Sequence, residues 1–379
     1  MPDHLVANGT EDPAPSPIGQ VLPQFFAKLD YWQKDFGSPL LIAVSGGGDS
    51  MALCRMASHW AKVTGATLHA ASIDHGLRPT SAADSAQAIA WARALGLSGE
   101  VVRLDNRPAH GGLQAWARQA RYQALATVAQ RLGAKLILVG HTWDDQLETV
   151  CWRLARQSGL DGLAGMAEVA INPFAKIEAP NLLGRPLLGL KRADLRAWLI
   201  QEGQSWLEDE SNQNLDFARI RTRKLVQEMA TQGVNLERIV RLATNADVLR
   251  SVQERATLDL LKRCRLTPIE AGWQLDAALF TEAEPVVKER ALGWLIYSLT
   301  QTDRPPAAEK LGRLVEGLLA NPAQRRTLGG VWVSRKGDGL FFKLAPVRSG
   351  QVAVQSPTPQ SQYARLFGIS RQPHEFVTQ

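Results

Sequence analysis

The chain has 379 residues, 45% of them hydrophobic and 21% charged, and Lys+Arg 43 against Asp+Glu 37 leaves a formal net charge of +6. At roughly 150 residues per domain, this length predicts about two to three domains with cores that need no disulfide staples. Cys54, Cys151 and Cys264 are too few and too far apart for a disulfide framework or a CxxC site; no apolar run approaches the ~18 residues of a membrane helix; and the opening residues, with Asp3, Glu11 and Asp12, lack the apolar core of a secretory signal. A cytoplasmic protein is expected, and its mild positive charge permits a polyanionic partner without requiring one.

In chain order, residues 1–17 read as a polar, proline-rich disordered arm. Val21, Leu22, Phe25, Phe26 and Leu29 predict a helix over Ile18–Trp32. Short apolar runs then alternate with helical patterns. Strands are expected at Leu40–Val44, Thr67–Ile73, Val101–Leu104 and Lys135–Val139, and helices at Ser50–Val63, Ser81–Leu95, Leu113–Leu132 and Thr142–Arg156. This alternation predicts βαβ units around a parallel sheet, with ligands outside the carboxyl ends of the strands. Beyond about residue 190 the pattern changes. Helices are expected at Lys191–Glu202, Thr222–Met229, Pro285–Leu299 and Ala307–Leu319, with one or two over Leu236–Cys264. A hairpin is expected from Val331–Ser334 and Gly339–Leu344 around Lys336-Gly337-Asp338, and 347–379 reads as a flexible tail.

The most informative segment is Leu41-Ile42-Ala43-Val44-Ser45-Gly46-Gly47-Gly48-Asp49-Ser50. A buried strand enters three glycines and a helix begins. Glycine lets backbone approach an anion closely, and the free N–H groups of a helix start bind phosphate. Ser45 and Ser50 can add hydroxyl donors. Asp49 would repel phosphate unless a cation intervenes, which suggests Mg²⁺. Neither GxxxxGK[ST] nor GxGxxG is present. On glycines alone, a plain strand–turn–helix corner is an equal reading.

Three further segments carry chemistry. Ile73-Asp74-His75-Gly76-Leu77-Arg78 places a carboxylate, an imidazole and a guanidinium at a strand end, or simply a turn capped by Asp74. In Gly140-His141-Thr142-Trp143-Asp144-Asp145-Gln146-Leu147-Glu148-Thr149, a helix would set His141, Asp145 and Glu148 on one face, able to hold Mg²⁺ or an ammonium or to act as base. Taken alone, an acidic first turn that complements the helix dipole is the favoured reading there. Trp206-Leu207-Glu208-Asp209-Glu210-Ser211-Asn212 precedes Phe217–Lys224, where Arg219, Arg221 and Arg223 suit a phosphate backbone or an ordinary solvated face.

The string SGGGDS resembles the SGGxDS signature of the PP-loop, or N-type, ATP pyrophosphatases. With Asp74–Arg78, Gly140–Thr149 and the stretch from Arg185-Pro186-Leu187-Leu188 to Arg223, the chain resembles the tRNA(Ile)-lysidine synthetase family over about residues 38–225. Ala120-Arg121-Tyr122 fits the same pattern, with weaker similarity at Arg326–Val331.

The resemblance implies an α/β fold: a parallel five-stranded, Rossmann-like (adenine nucleotide alpha hydrolase-like) PP-loop catalytic domain over 18–225. A smaller, mainly helical tRNA-binding domain with a C-terminal hairpin would follow over 226–346. It implies a ligase that joins L-lysine to C2 of the wobble cytidine of tRNA(Ile) with a CAU anticodon, through an adenylated cytidine, converting ATP to AMP and diphosphate. The product, lysidine, changes codon reading from AUG to AUA. ATP and Mg²⁺ are implied, and a homodimer is left open. Ser45, Gly46, Gly47, Gly48 and Ser50 would hold phosphate and Asp49 the metal, with Asp74 and Arg78 beside the nucleotide. His141 would stand near the α-phosphate, while Asp145 and Glu148 would orient the lysine ammonium and help deprotonate it. Arg121, Arg219, Arg221 and Arg223 would contact the tRNA. The alternatives are a tRNA thiolation enzyme of the same fold, disfavoured by the missing cysteine pair, and an inactive tRNA-binding protein, disfavoured by the intact loop.

Overall fold

The computed structural model describes residues 18–104, 113–155, 160–175, 180–208, 217–300, 305–321 and 324–346. The arm and tail expected at 1–17 and 347–379 lie outside them. The chain forms two compact units, Met1–Asp247 and Val248–Gln379.

The first unit opens with α1 (Ile18–Phe36), β1 (Leu40–Ala43), α2 (Gly48–Thr64), β2 (Leu68–Asp74), α3 (Ser81–Ala94), β3 (Ser98–Arg103), α4 (Leu113–Leu132) and β4 (Leu136–Leu138). It continues with α5 (Trp143–Leu154), α6 (Leu160–Leu163), β5 (Val169–Ile171), β6 (Leu182–Gly184), α7 (Arg192–Gln201), α8 (Phe217–Thr231) and the start of α9 (Leu236–Arg263). The strands lie in the order β3-β2-β1-β4-β6-β5. The first five run parallel, as expected, and β5 adds an antiparallel edge.

Period-two alternation explains how both faces of this sheet are covered. Leu40 and Ile42 face a core built with Phe25, Leu29 and Trp32 of α1, Met56 and Trp60 of α2, and Trp198 of α7. Leu41, between them, joins Ile137 and Leu183 against Tyr122, Leu125 and Ala129 of α4. Burying each such large side chain contributes about 1.5–3 kcal/mol. Strand order reverses between β1 and β4, so the loops after these two strands flank the crevice where open α/β sheets bind ligands.

Differences from the sequence reading have local causes. β3 begins at Ser98 rather than Val101, because an edge strand with a half-exposed pattern carries few apolar residues to announce it. β5 and β6 span three residues each, too short for any periodicity. α5 begins at Trp143, and Thr142 is its N-cap in a reciprocal capping box with Asp145.

The second unit contains the end of α9, β7 (Thr267–Ile269), β8 (Gly272–Asp276), α10 (Ala277–Glu282), α11 (Pro285–Leu299), α12 (Ala308–Ala320), β9 (Arg326–Leu328), β10 (Val331–Lys336) and β11 (Gly339–Leu344). The expected hairpin is present, with Lys336 paired to Gly339 across a Gly337-Asp338 turn in which Gly337 has φ 56°. It forms the middle of a five-stranded antiparallel sheet, β7-β8-β11-β10-β9. Trp273, Val333 and Phe342 pack this sheet onto Leu292 and Leu295 of α11 and Leu314 of α12, and Ser298 accepts a hydrogen bond from the Trp273 indole at 2.8 Å. Residues 236–263 form one helix rather than two. Among the described residues no helix is long and apolar enough to cross a membrane.

Candidate active site

The loop between β1 and α2 is shaped from inside and behind. Gly46 has φ +85°, a conformation that only glycine adopts without strain, and a Cβ there would stand 2.6 Å from Leu207 Cδ1. Leu207 donates its N–H to the Gly46 carbonyl at 2.9 Å and bridges to Gly47 like a short parallel strand. Trp206 lies against Gly48, its Cδ1 3.5 Å from where a Cβ would be. Ser50 is buried. Its Oγ accepts from Ser45 N–H (3.2 Å) and Ser45 Oγ (3.1 Å) and donates to the Gly47 carbonyl (2.9 Å). The Ser50 hydroxyl therefore ties the loop together, while the first N–H groups of α2, as at any helix start, have no partner within the helix.

Asp49, in the first turn of α2, faces a residue that the sequence reading did not single out. Its Oδ2 accepts from Arg192 Nε at 2.9 Å. Its Oδ1 is buried and has no hydrogen-bond partner among the described residues. Burial pushes the Asp49 carboxyl up, against the opposing pull of Arg192. The same guanidinium donates from Nη2 to Asp145 Oδ1 at 3.1 Å, and the Arg192 backbone N–H donates to Asp144 Oδ2 at 2.8 Å. Asp145 Oδ2 accepts from both Thr142 N (2.8 Å) and Thr142 Oγ1 (2.9 Å). Gly140 makes this approach possible, since a Cβ on it would be 3.0 Å from the Asp49 carbonyl oxygen.

His141 stands before α5 and not on its face, so the expected three-residue alignment on one helix reduces to Asp145 and Glu148. His141 Nδ1 accepts from Arg185 Nε at 3.2 Å, which leaves the ring proton on Nε2 in the neutral form. Arg185 is itself buried, donates Nη1 to the Ala167 carbonyl at 2.7 Å, and is pulled down by its burial. Glu148 accepts from Arg223 Nε of α8 at 2.8 Å. Leu147 and Cys151 of α5 pack with Val226 and Met229 of α8, which fixes that pairing. The side chains of Arg219 and Arg221 lie outside the described residues.

At the end of β2, Asp74 accepts from Gly76 N–H (2.9 Å) and Ser81 Oγ (2.6 Å), which closes the turn into α3. Burial opposes its ionisation, but these two hydrogen bonds together with the nearby Arg103 and His75 outweigh it and hold the carboxyl below its ordinary value. Arg78, just before α3, reaches Asp84 in the first turn of that helix at 3.4 Å. His75 accepts at Nε2 from Arg121 Nε at 3.3 Å, while its Nδ1 is buried without a partner among the described residues. Burial, reinforced by Arg121, lowers the His75 pKa to about 4, so the ring is neutral at pH 7 and its Nδ1 carries a hydrogen.

The structure thus joins the loop, Asp49, Arg192 and Asp145 into one connected cluster. Glu148 sits with Arg223, and Asp74 serves the β2 turn. An anion cradle beside a pair of carboxylates and a histidine can hold a polyphosphate and move a proton nearby.

The PP-loop domain family matches residues 21–229. The chain is similar to the tRNA(Ile)-lysidine synthase of Hyphomonas neptunium, 35% identical over 326 residues that cover 85% of this chain and 86% of that one. The corresponding synthase of Rhodopseudomonas palustris is 34% identical over 331 residues, covering 83% and 92%. That of Methylobacterium nodulans is 33% identical over 336 residues, covering 86% and 96%.

Proposed function

Since the chain belongs to the tRNA(Ile)-lysidine synthase family, a family of PP-loop proteins, we propose that it ligates L-lysine to C2 of the wobble cytidine of a tRNA(Ile) with a CAU anticodon. ATP adenylates the cytidine, diphosphate leaves, and the lysine ε-amine then displaces AMP. The observation that carries this reading is the contact between the SGGGDS loop and the start of the GHTWDDQLET segment, with Gly140 against the backbone of Asp49 and Ser50. Phosphate donors and proton-handling carboxylates meet there.

Each group has a task in this reading. The N–H groups at the start of α2 bind the departing diphosphate, with Gly46, Gly47 and Gly48 giving the backbone access. His141 stands near the α-phosphate. Glu148 and Asp145 orient the lysine ammonium and help deprotonate it, because only the neutral amine is a nucleophile. Asp49 Oδ1, buried and unpartnered among the described residues, fits one contact to Mg²⁺. Among the described residues no three His, Cys, Asp or Glu side chains gather as a metal cage, which agrees with an ion carried largely by phosphate and water. When bound, Mg²⁺ would neutralise charge on the leaving phosphates. Residues 226–346 are assigned the tRNA body, where Arg325 stacks on Trp332 at 4.1 Å from the ring centroid.

The test uses the purified chain, Mg-ATP, radiolabelled lysine and a CAU transcript, beside the same transcript with uridine at the wobble position. Label should enter only the first RNA, with AMP release. AMP formation that depends on tRNA but transfers no lysine would point to another nucleophile and reject the reading.

A further inference from the structure

One guanidinium holds two carboxylates that belong to different parts of the site. Arg192 starts α7 and sits 143 residues along the chain from Asp49 and 47 from Asp145. Its position is fixed three times: by its own N–H on Asp144, by Nε on Asp49 and by Nη2 on Asp145. The Asp145 charge adds to the electrostatic cost of ionising Asp49, which is largely buried. Without the intervening cation they would separate. Each carboxylate is divided in its duties. Asp145 gives Oδ2 to the Thr142 cap and Oδ1 to Arg192; Asp49 gives Oδ2 to Arg192 and keeps Oδ1 without a partner among the described residues.

We infer that Arg192 is a positioning residue that locks Asp49 of the phosphate loop to Asp145 of α5, so that Asp49 meets an incoming nucleotide–Mg²⁺ with Oδ1 already in place. The inference rests on the reading that the loop binds ATP. A planar fork is needed because two acceptors at fixed angles are engaged at once; a lysine ammonium is a point charge and cannot reproduce both contacts. The arrangement resembles the outer support of a metal ligand, whose loss typically weakens metal affinity roughly 10–100-fold.

The test is equilibrium binding of α,β-methylene-ATP to the full chain, without tRNA or lysine, titrated with Mg²⁺. Arg192→Ala should raise the Mg²⁺ midpoint about 10–100-fold. Arg192→Lys should recover only a minor part of that shift. Asp145→Asn keeps an oxygen for the Thr142 cap and removes the charge that Arg192 grips, so it should shift the midpoint in the same direction. Combining Asp145→Asn with Arg192→Ala should add nothing to Arg192→Ala alone. A wild-type midpoint in Arg192→Ala, or simple addition of the two effects, overturns the inference. If Arg192→Ala does not fold, Arg192→Lys and Asp145→Asn decide it by the same criterion. A wild-type chain that binds no analogue rejects the ATP reading together with this inference, whereas wild-type binding with unshifted variants rejects this inference alone.

Discussion

The phosphate loop and the α5 carboxylates are neighbours, but they are held by different forces. The loop is fixed by backbone: a positive φ at Gly46, amide and carbonyl contacts to Leu207, a buried Ser50 hydroxyl, and the Trp206 ring behind Gly48. The carboxylates are gripped by guanidinium groups, Asp145 by Arg192 and Glu148 by Arg223, with the Thr142 cap also holding Asp145. Steric restraint is short-ranged and unaffected by salt, whereas ion pairs depend on partial burial and on the partner's charge state. One half of the site is therefore a rigid mould for an anion, and the other is an electrostatic arrangement that an arriving ammonium can rearrange.

Asp49→Ala should break the comparison most sharply, because it removes the one charged group of the mould. Diphosphate release dependent on tRNA should fall by about 10³-fold or more, while tRNA retained on a filter stays near wild type. Loss of tRNA binding with adenylation intact would reject the role. Gly46→Val should come next. It forces a β-branched residue into φ +85° and a Cβ into Leu207, so the affinity for ATP should drop by about 10²-fold and the melting temperature should fall. Truncating Leu207 should not rescue it, since the backbone strain remains.

Glu148→Gln should leave the mould untouched and damage only the other half. Lysine transfer should slow by about 10²-fold while the KM for ATP stays unchanged, as read in parallel lysine-incorporation and diphosphate-release assays. Equal damage to both steps would merge the two halves. Ser50→Ala should have a smaller effect, about 1–2 kcal/mol of stability by denaturant titration, because three loop hydrogen bonds share that oxygen.

A further effect is a pH limb. His75 has a pKa of about 4 in the folded chain against 6.5 in the unfolded one. Between these values the unfolded state binds more protons, so the folded state loses stability as pH falls from about 6.5 towards 4. His75→Gln should flatten the dependence of the melting temperature across that window. An unchanged slope would show that His75 titrates normally.

The contrast between the two halves also explains what the sequence could show. The loop is local, and its glycines and its strand-to-helix transition are written in consecutive residues, as are the parallel strands with their period-two burial. Asp49, Asp145 and Glu148 stand out as charged residues near strand ends. Arg192 does not, because its significance lies in partners more than 40 residues away. Trp206 and Leu207 look like the edge of an acidic turn until Leu207 is seen paired with Gly46. In the second unit, the hairpin is announced by Gly337-Asp338, whereas β7 and β9 are three-residue strands that exist only by pairing with it and with β8.

The division of labour between the two halves is tested most directly by trapping the first step. The chain would be mixed with Mg²⁺, α-³²P-labelled ATP and the CAU transcript in the absence of lysine, then chased with lysine. The account predicts label on the RNA before the chase, its release as AMP afterwards, and its persistence in Glu148→Gln. RNA that never carries the label, while lysine is still incorporated, would contradict it.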